Sequence, residues 1–358
     1  MSVTLTKPLT PDLSSYTRRL QSIWDKQWFT NHGDQHDELE EALSYHLNVP
    51  YLSLFNNGTI ALIVAIKSLR LSGEVITTPF TFAATPHVLT WNNIRPVFCD
   101  ICDDDMTIDP NCIENLITPD TTGILAVHVY GNPCSVHQIQ EIADRYGLKV
   151  IYDAAHAFGT SVDGKGIGRY GDISMFSFHA TKLFHTAEGG CLTTNDPNLK
   201  KRIDFLCNFG IENEETVVMP GINGKMNELQ AALGLEILPL LEDEIKKRKK
   251  IRELYCKYLS PHVGIVASRN EQYFIIRTKV RDLIYDALKT QGILARKYFY
   301  PLCSEFPCYS HYQSARNVPV AEKVSKEVLA LPFYGDLEES TIKETCKIII
   351  RFSTSTGD

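Results

Sequence analysis

The 358 residues carry 44% apolar and 22% charged side chains, ordinary globular proportions that allow one large core plus a smaller domain and give no sign of disorder. A formal net charge of −7 provides no field for a nucleic-acid backbone, so any nucleotide bound here is a small molecule held by local cations. Pro8 and Pro11 interrupt the N-terminus before an apolar signal core forms, and no run approaches about 18 uncharged apolar residues, so the expectation is a soluble cytoplasmic protein with no membrane segment.

Along the chain, short β-rich runs alternate with longer amphipathic ones. Strands are expected at 74–78, 96–99, 123–129, 149–152, 173–176 and 191–194. Helices are expected to begin near Thr59, Phe82, Val136, Asn198 and Asn227. This alternation predicts an α/β fold, a mainly parallel sheet flanked by helices. The pattern changes near Leu241, after which residues 242–252 read as a charged helix with acids first and bases last, as the helix dipole prefers. A strand at 273–278 and a helix at 282–291 then outline a smaller C-terminal α+β domain.

Other groups carry less chemistry. Ten cysteines in a chain of this length read as reduced, buried small hydrophobes. Cys99 and Cys102 have the spacing of a metal knuckle but no second pair to complete four ligands. His32 and His36 could share a helical face, yet without a third ligand they read as surface or substrate-edge residues, and no metal is expected. Gly164, Gly166 and Gly168 depart from the spacing of a dinucleotide fingerprint.

Two polar groups stand at the ends of apolar runs. Asp153 closes the run 148–152, and Lys182 follows the run 172–177. Ligands in open α/β sheets collect at the carboxyl ends of strands, so these two groups could face one aldehyde cofactor, the amine holding it and the carboxylate keeping its ring nitrogen protonated. A lone lysine after a strand is more often a surface residue. Asn57-Gly58-Thr59 precedes an apolar helix, which suits either a phosphate at a helix N-terminus or a plain N-cap.

Several blocks resemble one family: Asp153-Ala154-Ala155-His156-Ala157, Ser177-Phe178-His179-Ala180-Thr181-Lys182, Glu188-Gly189-Gly190, Asn57-Gly58-Thr59, Thr78-Pro79-Phe80-Thr81-Phe82 and Gly224-Lys225-Met226-Asn227-Glu228. In this order they are similar to the DegT/DnrJ/EryC1/StrS group of sugar aminotransferases. The resemblance implies the type I aminotransferase fold and pyridoxal 5'-phosphate as cofactor. It implies Lys182 as the covalent and proton-moving lysine and Asp153 as partner of the ring nitrogen. Gly58, Thr59 and Ser177 would meet the phosphate, Phe82 would stack on the ring, and His156 would sit near its phenolic oxygen. Asn227 would reach the phosphate from a neighbouring subunit, which implies a homodimer with shared sites.

The resemblance also implies a division into residues 1–32 packed with the small domain, a large domain 33–241 and a small domain 242–358. It implies transfer of nitrogen from L-glutamate to a keto-sugar nucleotide. The blocks 221–227 and 298–302 look like members that aminate dTDP-4-keto-6-deoxy-D-glucose at C4, giving dTDP-4-amino-4,6-dideoxy-D-glucose; amination at C3 of a dTDP-3-keto-6-deoxyhexose is the rival. His179, His185, Lys225, Arg296, Tyr298 and Tyr300 are the candidates for the sugar pocket. The chain has Ala187 where many relatives carry glycine, which restricts the backbone there. Lys182 argues against a related dehydratase with histidine at that place. No helix-turn-helix supports a regulatory protein that binds the cofactor without turnover.

Overall fold

The computed structural model describes residues 2–312 and 317–354. Short apolar runs buried on both faces form the central sheet, as a mainly parallel sheet requires. Its strands are β1 (Tyr51–Phe55), β2 (Glu74–Thr77), β3 (Arg95–Phe98), β4 (Thr121–Val127) and β5 (Lys149–Asp153), then, past a small hairpin of β6 (Ser161–Val162) and β7 (Lys165–Gly166), β8 (Ile173–Ser177) and β9 (Gly190–Thr194). The order is β1-β9-β8-β5-β4-β2-β3, and β9 alone runs against its neighbours. Alternate residues of β5 enter different cores: Val150 and Tyr152 join Leu43, Ile139 and Phe176 on one face, while Ile151 joins Leu62, Val75 and Ile173 on the other.

The helices preceding or covering this sheet are α1 (Leu13–Lys26), α2 (Asp34–His46), α3 (Gly58–Ser68), α4 (Ala84–Trp91), the single turn α5 (Pro110–Ile113), α6 (Val136–Tyr146), α7 (Pro197–Cys207) and, after the hairpin of β10 (Ile211–Asn213) and β11 (Thr216–Val217), α8 (Glu228–Ile237). The long α9 (Leu241–Leu259) begins where the pattern changes. A second, antiparallel sheet follows, of β12 (Gly264–Ile265), β13 (Phe274–Arg277) and β14 (Val328–Leu331), with α10 (Arg281–Thr290), α11 (Pro319–Glu327) and α12 (Glu339–Thr354). Ile251, Tyr255, Phe274, Ile284, Leu329 and Ile342 form its core. Among the described residues no helix is long and apolar enough to cross a membrane.

Three details differ from the sequence expectation. Only the first residues of the segment 1–32 lie against the second sheet's layer: Val3 bridges Ile293, and the Phe333 N–H donates to the Leu5 carbonyl at 2.9 Å. Helix α1 packs instead on α8, where the Tyr16 hydroxyl donates to the Leu229 carbonyl at 3.0 Å and Arg19 pairs with Glu236 at 2.5 Å. The strand expected to run to Val129 stops at Val127, because His128 donates its N–H to the Asp153 carbonyl at 3.0 Å and Tyr130 turns the chain at φ 54°. The helix expected from Phe82 starts at Ala84, leaving Phe82 in the preceding loop and 62% exposed.

Candidate active site

The carboxyl ends of the parallel strands and the second layer enclose a cavity of about 330 Å³. Asp153, the last residue of β5, lies on its wall and is only 4% exposed. One carboxylate oxygen accepts from the Thr85 hydroxyl at 2.8 Å and the other from the Ala155 N–H at 3.1 Å. Burial pushes its pKa up, opposed by these two hydrogen bonds and by the charge of Lys182. Lys182 lies in the loop between β8 and β9, which turns through the Lys182 N–H donating to the His179 carbonyl at 2.8 Å. Its Nζ is 6.0 Å from the centre of the Tyr273 ring. Burial pushes this amine's pKa down, opposed by Tyr298 and Asp153, which makes the nucleophilic free base easier to reach than for an exposed lysine.

Another wall is the joint between β1 and α3. The first N–H groups of a helix have no partner within it; the Asn57 side chain takes that of Ile60 at 2.8 Å, leaving those of Gly58 and Thr59 at the cavity with Ser177 from the end of β8. A Cβ on Gly58 would lie 3.1 Å from the Met175 sulfur and 3.3 Å from the Ser177 Cβ, so this joint fits closely against β8. Dipole and free donors together suit an anion.

His156 forms a third wall. Its ring is nearly parallel to those of Phe299, 5.7 Å away, and Tyr130, 6.5 Å away. Its Nδ1 accepts the Tyr130 N–H at 3.3 Å, which leaves Nε2 carrying the proton. Burial, with Lys182 adding to it, holds the imidazole well below its ordinary pKa, hence neutral. Phe82, Arg296, Tyr298 and His179 complete the lining named from the sequence, with the Arg296 guanidinium 6.0 Å from the centre of the Tyr298 ring.

Four sequence candidates lie outside this cavity. His185 is buried, its Nε2 donating to the Leu9 carbonyl at 2.8 Å and its Nδ1 accepting the Ala187 N–H at 3.3 Å, so it ties the loop of Lys182 to the N-terminal segment. Lys225 donates to the Asn223 side chain at 2.7 Å and lies 4.7 Å from the centre of the Phe209 ring. Asn227 caps α8 by accepting the Gln230 N–H at 2.9 Å. Tyr300 lines a neighbouring cavity and rests 4.9 Å from the buried Arg281 guanidinium. Ala187 holds φ 63°, the left-handed region that a methyl group disfavours.

Sequence reasoning missed Thr85, Tyr273 and Asn270. Asn270 donates to the His156 carbonyl at 2.7 Å, and Thr85 reaches Asp153 across 68 positions. No local pattern marks such distant pairs. Chemically, the cavity offers a buried amine, a buried carboxylate, a neutral imidazole and an anion cradle, a donor set that fits a flat, phosphate-bearing aldehyde.

Known proteins share this arrangement of chain. Residues 14–350 match the pattern of the DegT/DnrJ/EryC1/StrS aminotransferase family. The chain is 45% identical, over 98% of its length and 98% of the other's, to the dTDP-4-amino-4,6-dideoxy-D-glucose transaminase of Escherichia coli. It is 42% identical to the protein of the same name from Shigella dysenteriae, over 95% of this chain and 96% of that one. The solved structure of DesI in the presence of its TDP-sugar product superposes with a TM-score of 0.94 at 34% identity, covering 99% of this chain and 93% of that one. On sequence and fold together, the chain belongs to the DegT/DnrJ/EryC1/StrS aminotransferase family.

Proposed function

We propose that this enzyme transfers the amino group of L-glutamate to C4 of dTDP-4-keto-6-deoxy-D-glucose, giving dTDP-4-amino-4,6-dideoxy-D-glucose, with pyridoxal 5'-phosphate as cofactor. The observation that carries the reading is the meeting of the Lys182 amine and the Asp153 carboxylate in one cavity, in a chain 45% and 42% identical to two transaminases of that name. When bound, the cofactor supplies an aldehyde for an amine and a ring that accepts electrons.

The rest is the work of the protein's own side chains. Lys182 Nζ, whose pKa burial pushes down, holds the cofactor and, once displaced by a substrate amine, takes the proton from the donor's Cα and later returns one to the sugar carbon. Asp153, whose carboxyl is raised by burial, ionises against a cation placed beside it and thereby keeps a ring nitrogen protonated. Thr85 and the Ala155 N–H hold that carboxylate in place. Gly58, Thr59 and Ser177 bind the phosphate, Phe82 covers the ring, and His156 donates through Nε2 near its phenolic oxygen. Arg296, Tyr298 and His179 line the approach of the sugar nucleotide. Asn227, whose side-chain oxygen is used in its cap, keeps its Nδ2 for a phosphate in the neighbouring subunit of a homodimer.

Incubating the purified protein with glutamate and a panel of keto-sugar nucleotides tests the assignment, with NMR locating the new amine. The expected product carries it at C4 of a dTDP-linked 6-deoxyhexose. Amination of the 3-keto isomer alone would overturn the regiochemistry and leave the aminotransferase assignment standing.

A further inference from the structure

His32 and His36 were without a third ligand in the sequence, and the fold supplies one. The side chain of Asp37, in the first turns of α2, comes between them: its Oδ1 is 3.3 Å from His36 Nδ1 and 3.7 Å from His32 Nδ1. The three donor atoms all lie within 4.8 Å of one another. The shorter of the two separations from Asp37 is a hydrogen bond between the His36 imidazole and the Asp37 carboxylate. The same 3.3 Å also fits two ligands of one ion, because tetrahedral ligands with bonds of about 2.0–2.1 Å lie roughly 3.3–3.4 Å apart, and His32 at 3.7 Å needs only a small shift to join them. The two imidazole rings stand edge to face at 5.0 Å, which keeps both Nδ1 atoms toward the same carboxylate.

The ligands are also held. His36 is 3% exposed, and its backbone N–H donates to the Glu228 carboxylate at 2.8 Å, while the other Glu228 oxygen accepts the Gln35 N–H at 3.0 Å. His32 sits at φ 55°, in the turn that leads into Gly33 and α2. A cavity of about 290 Å³ opens beside His32, lined also by Trp28, Gly33 and Glu228.

We propose that His32, His36 and Asp37 form a binding site for a divalent transition ion of the zinc class, with three protein ligands and one open position, separate from the transamination cavity. Imidazole nitrogen and carboxylate oxygen are donors that such ions accept. The ion would hold the turn at His32 to the first turns of α2, which Glu228 already joins to α8.

The test is calorimetric titration of zinc into chelator-treated holoenzyme. His32 and Asp37 have side chains 63% and 65% exposed, so their replacement leaves the core intact. Wild type should take up one zinc per chain and unfold at a higher temperature with zinc than without. His32→Ala and Asp37→Asn should each weaken binding by at least about tenfold and lose the thermal shift. Absence of stoichiometric uptake by wild type overturns the proposal. So does equal affinity in all three proteins, which would assign the zinc to the thiols.

Discussion

Asp153 is placed at some cost to the folded chain. Burial raises its pKa, so the ionised form is less at ease folded than unfolded. The stability linked to a raised carboxyl pKa is present below the unfolded value, near 3.8, and is lost as pH rises through the folded value. The ionised carboxylate is thus held at a cost that its two hydrogen bonds and Lys182 offset only in part, and that a cation bound beside it would relieve. Asp153→Asn should then stabilise the apoprotein near pH 7, with an advantage that shrinks as pH falls below the folded value, and should cut transamination by about a hundredfold or more. The amide can still accept from the Ala155 N–H and donate to Thr85, whose hydroxyl turns to Thr81. Unfolding curves with and without cofactor, beside turnover with glutamate, decide it: a variant apoprotein no more stable than wild type, or one with near-native rates, would remove Asp153 from this role. The aspartate was legible because it closes a run of apolar residues, whereas Lys182, five positions past the end of its run, stood out through the family's blocks. Thr85 and Tyr273 were not legible, since nothing near them in sequence refers to Asp153 or Lys182.

Helix ends do much of the positioning. Asn57 caps α3 and leaves two N–H groups for an anion; Asn227 caps α8 in a reciprocal capping box with Gln230. Gln230 in turn donates to the carbonyls of Glu188 at 2.7 Å and Asn56 at 3.3 Å, joining α8 to both the lysine loop and the phosphate cradle. Asn227→Ala would lose the cap, about 1 kcal/mol of stability, together with the amide, and so confuse two effects. Asn227→Asp keeps an oxygen for the Gln230 N–H and places a carboxylate where the Nδ2 donor was. We expect unchanged thermal stability of the apoprotein and a cofactor affinity lower by about tenfold or more. Unaltered affinity by absorbance titration would free Asn227 from the phosphate. Helices α3, α4 and α6 to α10 were legible, whereas α1, α2, α11, α12 and the strands β1 and β14 were not. Helix α1 begins on an Asp12 cap that looks like any loop acid, and β14 is too short to show a period.

At the scale of the molecule, the cavity draws on both sheets: Asp153 and Ser177 come from the first, while Tyr273 precedes β13 of the second and Arg296 is fixed to Ala330 of β14 by paired backbone bonds of 3.0 and 2.8 Å. The hairpin β10–β11 and its flanks expose Phe209, Ile211, Val217, Val218 and Ile222, apolar surface that suits a second subunit. If each site takes Lys182 from one chain and Asn227 from the other, mixing a Lys182 variant with an Asn227 variant should restore activity at a cofactor concentration too low to fill the Asn227 variant alone. Refolding equal amounts of Lys182→Ala and Asn227→Asp together should yield about a quarter of the native sites, since half the random dimers are mixed and each mixed dimer has one complete site. Activity no higher than the sum of the separate variants, with mixed dimers demonstrated by mass, would place the whole site within one chain.

The single reversed strand, β9, gives the lysine loop its shape. Because β9 returns along β8, the loop leaves and re-enters the sheet at the same end, with Ser177 opposite Gly190. The pairing then climbs into the loop: Phe178 N–H to the Gly189 carbonyl at 2.9 Å, Thr186 N–H to the Phe178 carbonyl at 2.9 Å, and Ala180 N–H to the Ala187 carbonyl at 2.7 Å. A parallel neighbour would have required a long crossover and a free span of chain around the amine. Here the neck of the loop is zipped shut, so most of the entropy of closing it is lost when the sheet forms and little remains to be lost when a ligand arrives. The reactive nitrogen therefore stands on a tethered ring of chain whose circumference is set by the sheet, which makes the direction of one strand a determinant of how ready the site is.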